Sequence, residues 1–217
     1  MKKERKKADT VKTGYIIRVA VYLLGIILVS TGIVLCKKSN LGISPVSSIP
    51  YVMELVTPVS FGIWTMIFHF SNTVIQMILI RKINSIYLWL QFLIAFIFGQ
   101  VIDMLQKLIV IDGSNIGIQI ISLILSVLFT AAGMVCMIRM NLVQNPPDGT
   151  VKQISQKTGT ELGKVKMIYD CLCVLISVVI GVVLTGRIEG FGIATIVSAI
   201  FVGKCVTWIN RMINRRC

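Results

Sequence analysis

Two short stretches of the sequence decide the fold, because each interrupts a long apolar run with residues that break helices. "NLVQNPPDGT", residues 141–150, carries two adjacent prolines, an Asp and a Gly. "NLGISPVSS", residues 40–48, begins with the same Asn-Leu pair and has a Pro at the matching place. Proline is tolerated in the first turn of a helix but not in its interior. Each stretch therefore predicts that one membrane helix ends and a short second helix begins.

The composition around these breaks is that of a polytopic membrane protein. Of the 217 residues, 55% are hydrophobic and 14% are charged, and the mean hydropathy is +0.85. Apolar runs of roughly 18 or more residues match the thickness of the hydrocarbon core of a bilayer. We expect an all-α fold with six transmembrane helices, at 15–36, 61–80, 86–108, 117–139, 165–185 and 190–213. Two short broken or re-entrant helices are expected at about 44–57 and 147–160.

The start of the chain predicts an uncleaved first span. "MKKERKK" is a basic segment of the kind that precedes a secretory signal. The apolar run that follows is about twenty residues long and lacks a small-x-small cleavage site, which favours a membrane helix over a signal peptide.

Lysine and arginine are distributed unequally between the two sides of the predicted bundle. With the N-terminus inside, eighteen of the 22 basic residues fall in cytoplasmic regions, and the other four are Lys37, Lys38, Lys107 and Arg187. This bias follows the positive-inside rule and predicts a multi-pass protein of the bacterial plasma membrane with both termini cytoplasmic. The formal net charge of +13 therefore orients the chain against the lipid bilayer and argues against a nucleic-acid partner.

The two breaks belong to an internal repeat with an offset of 101 residues. At this offset Asn40-Leu41 falls on Asn141-Leu142, and Pro45 falls on Pro146. We expect a basic segment at 1–14, a first membrane repeat at 15–110 and a second at 111–217. Three spans per repeat is an odd number, so the second repeat enters the membrane upside down. Inverted repeats are common in secondary transporters, although duplication can also serve only to build a stable bundle.

Candidate binding residues lie at the breaks and on polar faces of the spans. The start of a re-entrant helix offers free backbone N–H groups, and such irregular backbone survives at membrane depth only when protein or water surrounds it. A surface loop with ordinary capping is the alternative at the second break. Ionisable groups inside spans are costly and often functional, whereas a polar stripe often provides only interhelical hydrogen bonds. The candidates are Ser44, Ser47, His69, Asn72, Gln76, Asp103, Asn145, Asp148, Thr150 and Asp170.

Soluble nucleotide-binding and catalytic signatures are missing from the sequence. There is no P-loop, no GxGxxG after a strand, no HExxH and no GxSxG. The six cysteines form no CxxC, and the single histidine argues against a zinc site. We expect no catalytic residues, no metal and no cofactor, although an intramembrane enzyme built on an Asp/His pair remains a weaker third hypothesis.

Three stretches resemble a known family of bacterial membrane proteins. They are "GIVLCKKSNLGISPVSSIPYV", "SFGIWT" and "FIFGQVIDM", in residues 32–52, 60–65 and 96–104. The likeness to the YczE/YyaS/YitT-like integral membrane proteins runs from about Tyr15 to Ile213, and "NPPDGT" resembles the weaker second copy. It implies a multi-span plasma-membrane protein, closer to the YczE type because no soluble C-terminal domain follows. It supplies no substrate and no catalytic residue.

Two functional hypotheses follow from the sequence. The first is a small secondary transporter or permease of a small solute, with its site between the repeats. The second is a non-transporting accessory or regulatory subunit that binds lipid, another membrane protein or a further copy of itself.

Overall fold

The computed structural model describes residues 2–81, 85–111 and 115–214, with side chains from residue 14 onward. The described residues form eight α-helices and contain no strand. The helices are α1 Lys2–Lys38, α2 Ser48–Val56, α3 Phe61–Ile80, α4 Ile86–Leu108, α5 Ile116–Met140, α6 Pro146–Thr158, α7 Leu162–Thr185 and α8 Ile193–Asn214. Six of these are long and apolar enough to cross a membrane, with Gly14–Lys38 as the apolar part of α1. The predicted all-α membrane fold is confirmed.

The boundaries of three long helices differ from the prediction by three residues or more. Helix α7 begins at Leu162 instead of near residue 165. Helix α1 begins at Lys2, because the basic segment consists largely of good helix formers and continues the helix of the first span. Helix α8 begins at Ile193 instead of near residue 190. Gly186 and Gly190 adopt φ values of +69° and +77°, so the connection between α7 and α8 is irregular up to that point.

Sequential long helices run antiparallel, which gives the bundle two sides. We call the side where α1 begins the near side and the side where α1 ends the far side. On the near side, Arg18 of α1 donates a 2.6 Å hydrogen bond to the carbonyl of Met140, the last residue of α5. On the far side, the ammonium of Lys37 at the end of α1 donates to Gln106 at the end of α4.

The centre of the bundle is the crossing of α1 and α5, which is its most extensive helix contact. Glycines make this contact close. A methyl group on Gly32 would lie 2.7 Å from the carbonyl oxygen of Ser126, and one on Gly133 would lie 2.6 Å from that of Gly25. In a membrane, close backbone packing drives helix association, because lipid tails are as apolar as the side chains and the hydrophobic effect therefore contributes little.

The two breaks share a left-handed Asn that ends the long helix and a Pro that opens the next turn. Asn40 and Asn141 adopt left-handed φ values of 56° and 48°, which end the preceding long helices. Pro45 then opens a 3-10 turn, Pro45–Ser47, that leads into α2, while Pro146 opens α6. Proline suits this first turn because it lacks a backbone N–H, and an N–H at this position would have no helical partner.

The start of each short helix docks on a long helix of the other half of the chain. The hydroxyl of Ser48 shares its proton between the carbonyls of Pro45 at 2.7 Å and of Cys173 on α7 at 3.2 Å. That of Thr150 shares its proton between the carbonyls of Asn72 on α3 at 3.1 Å and of Pro146 at 3.2 Å. The accepting residues on α7 and α3 are themselves 101 positions apart. Asn72 lies eight residues, or roughly 12 Å, from the end of α3 at Ile80. The short helices therefore start inside the bundle.

The helix contacts repeat between the halves, with one exception. The packing of α3 on α6 corresponds to that of α7 on α2, and the packing of α1 on α4 corresponds to that of α5 on α8. Helices α3 and α4 also pack tightly, since a methyl group on Gly99 would lie 2.6 Å from the carbonyl oxygen of Gly62. Their counterparts α7 and α8 make at most marginal contact.

We expect Gly133→Ala to destabilise the bundle by about 1–3 kcal/mol, because the new methyl group must push α1 away from α5. Gly203→Ala on the exposed face of α8 is the matched control, since a methyl group there meets no other atom within 4 Å. Thermal unfolding in detergent micelles measures both. Equal midpoints for Gly133→Ala and the unaltered chain would contradict the tight α1–α5 crossing.

Candidate functional site

Polar side chains from α3, α4, α6 and α7 meet at the near side of the bundle. We call this group the near-side cluster. Its members are Asn72, Gln76, Gln91, Asn145, Asp148, Thr150, Lys166, Tyr169 and Asp170. Six of the ten residues predicted from the sequence thus come together, from α3 in the first half of the chain and from α6 and α7 in the second.

One part of the cluster is a closed amide network. Gln76 donates 2.9 Å hydrogen bonds to Gln91 on α4 and to the carbonyl of Pro146 at the start of α6. Gln91 donates back to Gln76 at 3.2 Å. Because Gln76 is only 2% exposed and both ends of its amide are engaged, it joins three helices. Its geometry favours a structural role over contact with a solute.

A second part links α3 to α7. The phenol of Tyr169 donates a 2.7 Å hydrogen bond to Oδ1 of Asn72, while Nδ2 of Asn72 donates to the carbonyl of Phe68. The carbonyl of Asn72 also accepts from Thr150. Asn72 therefore holds α6 with its backbone and α7 with its side chain.

The third part is charged. The ammonium of Lys166 lies 3.1 Å from a carboxylate oxygen of Asp170 and 3.5 Å from one of Asp148. The exposed fraction of the side chain is 34% for Lys166, 17% for Asp170 and 28% for Asp148. Two carboxylates share a single ammonium here, so the group presents one excess negative charge when all three side chains are ionised. Such a group can exchange the ammonium for another cation.

Asn145 completes the charged part. Its Nδ2 donates to Asp148 at 3.3 Å, and its Oδ1 is buried without a hydrogen-bond partner in the described part of the chain. It holds the N-cap position of α6, although its side chain caps no backbone N–H.

His69 lies one turn along α3 from the amide and hydroxyl groups of this face. It is only 4% exposed, and its ring contacts Phe98 with 5.1 Å between ring centroids. Its Nδ1 has no hydrogen-bond partner among the described residues. A buried polar atom of this kind costs free energy unless a water or a ligand reaches it.

Ser44 and Ser47 lie in the turn that precedes α2. Their hydroxyl groups share a 3.0 Å hydrogen bond. This turn packs on α7, where Ser48 reaches Cys173. The two serines are therefore one helical turn or more beyond the charged part of the near-side cluster.

Asp103 belongs to a different group, on the far side. One of its carboxylate oxygens accepts from the backbone N–H of Gly62 at 2.8 Å, and the other accepts from the hydroxyl of Ser60 at 2.5 Å. Gly62 is in the first turn of α3, so Asp103 caps that helix from α4. A carboxylate at a helix N-terminus is favoured by the helix dipole and by the free N–H groups. This geometry favours a structural role over the solute-binding role expected from the sequence.

The rest of the far-side group surrounds Lys37. Its ammonium is paired with Glu54 of α2 and lies 4.8 Å from the centre of the Phe61 ring. Tyr51 lies beside it, and the pKa of the Tyr51 phenol is raised above its ordinary value, first by burial and then by the charges of Glu189 and Glu54. The phenol therefore stays neutral, and Glu54 is the acidic partner of Lys37.

Comparison with known families gives a match over most of the chain. Residues 16–211 match the model of a family of unknown function, DUF6198. The chain belongs to this family. No curated protein and no solved structure matches it significantly.

In this DUF6198 member, three residues of the near-side cluster were not among the binding residues predicted from the sequence. Lys166 was visible only as part of the polar face of the fifth span, and Gln91 and Tyr169 were not predicted at all. Gln91 is an isolated amide in an apolar stretch, which is the one feature that marks it. Tyr169 resembles any interfacial aromatic residue until the structure shows its contact with Asn72.

The cysteines add no further site. Cys36, Cys136, Cys171, Cys173 and Cys205 are free thiols, and Cys217 lies outside the described residues. Within the described ranges, no group of three or more His, Cys, Asp or Glu side chains gathers as it would around a metal ion.

We expect Asp103→Ala to lower the stability of the folded protein by about 1–2 kcal/mol, because α3 loses its cap. Gln100→Ala, at an exposed position one turn earlier on α4, is the control. Thermal unfolding of both variants in detergent tests the assignment, which an unchanged midpoint for Asp103→Ala would refute.

Proposed function

We propose that this chain is a small secondary transporter of the bacterial plasma membrane, built as two inverted repeats of the YczE type, with the near side and both termini in the cytoplasm. The proposal includes no catalytic chemistry. The observation that carries it is the convergence of both short helices on one segment of α7.

That segment runs from Lys166 to Cys173. Asp148, in the first turn of α6, pairs with Lys166, while Ser48, at the start of α2, donates to the carbonyl of Cys173. Seven residues of helix separate the two contacts, a distance of about 10 Å. Interrupted helices that meet in the interior at the junction of inverted repeats are the usual surroundings of a solute site in secondary transporters.

The chemistry of this segment favours a cation. Asp148 and Asp170 share Lys166, so a protonated amine or a proton that reaches the pair competes with the ammonium of Lys166 for the two carboxylates. His69 offers the unpartnered Nδ1 one turn further along α3. Ionisable groups kept inside membrane helices despite their cost most often bind or relay charge.

The contacts also indicate which parts separate when the site opens. Helix α6 is joined to α3 by the Thr150 and Gln76 hydrogen bonds and to α7 by the Lys166 pair. Moving α7 away from α3 and α6 breaks the Lys166 pair and the Tyr169–Asn72 hydrogen bond, which are both only partly buried, whereas moving α6 away from α3 breaks the fully buried amide network. We infer that α6 stays with α3 while α7 moves.

The test is uptake into proteoliposomes that contain the purified full chain. The probes are radiolabelled choline, lysine, glutamate and phosphate, each under an imposed pH gradient. We expect a cationic probe to accumulate, and Asp170→Asn to reduce its initial rate at least tenfold, because one of the two shared carboxylates loses its charge.

Glu161→Gln is the matched control, since this exposed carboxylate immediately precedes α7 and touches none of the cluster. Its uptake should equal that of the unaltered chain. Equal flux in protein-containing and empty vesicles for every probe would overturn the transport proposal. Uptake that persists in Asp170→Asn would overturn the site.

A second candidate function is a membrane accessory subunit, and the weak contact between α7 and α8 favours it. The exposed face of α8 carries Gly203, Lys204 and Thr207 in the middle of a helix long enough to span the membrane. Polar groups on a lipid-facing surface are costly, which suits a partner helix or a second copy of the chain.

Disulfide trapping of membranes distinguishes the two candidates. For a partner that covers this face, Thr207→Cys should yield a crosslinked species with a second copy or another membrane protein. Phe201→Cys and Ser71→Cys sample an exposed position about 120° around α8 from Thr207 and the exposed face of α3. Equal low yields for all three variants would contradict the accessory role.

A further inference from the structure

A cavity opens on the far side, at the opposite end of the bundle from the near-side cluster. Its volume is about 330 Å³, and it is lined by Lys38, Ser60, Asp103, Gln106 and Lys107. The lining comes from the end of α1, the residue before α3 and the last turns of α4. Pockets that bind small molecules begin at about this size.

The basic residues at this cavity are unusual for this side of the protein. The sequence assigns only four of the 22 lysines and arginines to the far side. Lys38 and Lys107 line the cavity, and Lys37 lies beside it through its contact with Gln106. Three of the four basic residues assigned to the far side thus lie close together. Their mutual repulsion is unfavourable unless negative charge offsets it.

The carboxylates nearby are already engaged. Glu54 pairs with Lys37, and both oxygens of Asp103 accept hydrogen bonds from the start of α3. Lys38 and Lys107 have no carboxylate partner in the described portion of the chain. Asp103 itself lines the cavity, so its lining combines two lysines with one carboxylate and carries a net charge of +1 when all three are ionised.

We propose that this cavity binds an anionic group, a phosphate or a carboxylate, between the ammonium groups of Lys38 and Lys107. The anion supplies the negative charge that the single carboxylate of the lining, Asp103, leaves unmatched. Ammonium groups bind phosphate as point charges without demanding a fixed geometry, which suits two flexible side chains at the rim of an open cavity.

Two sources of such a group fit the position. One is the headgroup of an anionic lipid, because the cavity lies at the far-side ends of membrane helices. The other is a free solute such as inorganic phosphate. Both present the same chemistry to the lysines, and the experiment separates them.

The site is independent of the proposed transport. It lies at the end of the bundle opposite Asp148 and Asp170, so anion binding here and cation transport there can fail separately. A direct binding measurement therefore tests the cavity without requiring flux.

The experiment uses the full chain, delipidated in a neutral detergent. One arm titrates inorganic phosphate by isothermal calorimetry. The other arm measures retention of phosphatidylglycerol against phosphatidylcholine by native mass spectrometry. We expect saturable binding in at least one arm, and a loss of at least tenfold in affinity for Lys38→Gln/Lys107→Gln.

Lys152→Gln/Lys157→Gln is the matched control, because it removes the same charge from exposed positions on α6 at the near side. It should bind like the unaltered chain. Lys38→Arg/Lys107→Arg should restore most of the binding, which separates loss of charge from loss of folding.

Each result decides the proposal. Saturable phosphate binding that depends on the far-side pair assigns a solute site, and selective retention of phosphatidylglycerol that depends on the same pair assigns a lipid site. Absence of saturable binding in both arms, or equal affinity of the two glutamine variants, overturns the inference.

Discussion

Every backbone group that leaves a helix inside a membrane must find a partner within the protein, and the rest of this fold depends on that constraint. The chain breaks its helices twice within the bundle. It meets the cost with donors from the other half: at the second break, Arg18 and Tyr22 of α1 donate to the carbonyls of Met140 and Val143. At the first break, the backbone N–H of Ala194 donates to the carbonyl of Leu41. The close α1–α5 crossing brings the halves near enough for these contacts to form. Fold and candidate site are consequences of the same requirement.

The two ends of the bundle satisfy their polar groups differently. At the far side, the carboxylate of Asp103 is saturated by a backbone N–H and a hydroxyl, so it fixes α3 in place. At the near side, Asp148 and Asp170 share one lysine and keep 28% and 17% of their side-chain exposure. Acidic residues that look alike in the sequence thus form a helix cap in one case and share an ion pair in the other.

Hydropathy and the 101-residue offset were enough to predict the helices and the breaks, because span length and helix termination are local properties of the sequence. The partners of the polar residues were not predictable in this way. Asp103 and Gly62 are 41 positions apart, and Tyr169 and Asn72 are 97 apart. Only tertiary packing decides whether such a carboxylate caps a helix or faces a cavity. The same applies to Gln91, whose role depends entirely on its buried contact with Gln76.

The attachment of α7 has a mechanical consequence. The helix packs mainly on the two short helices and the turn before α2 and is joined to α3 by the Tyr169–Asn72 hydrogen bond, while α8 rests on α5 and makes at most marginal contact with α7. We therefore expect a displacement of either short helix to shift α7. A tilt of α7 would in turn change its contacts with both short helices at once. Helix α7 is held between the two short helices, which enter the bundle from opposite sides. Strain applied at one face would then be felt at the other without passing through the stiff α1–α5 frame.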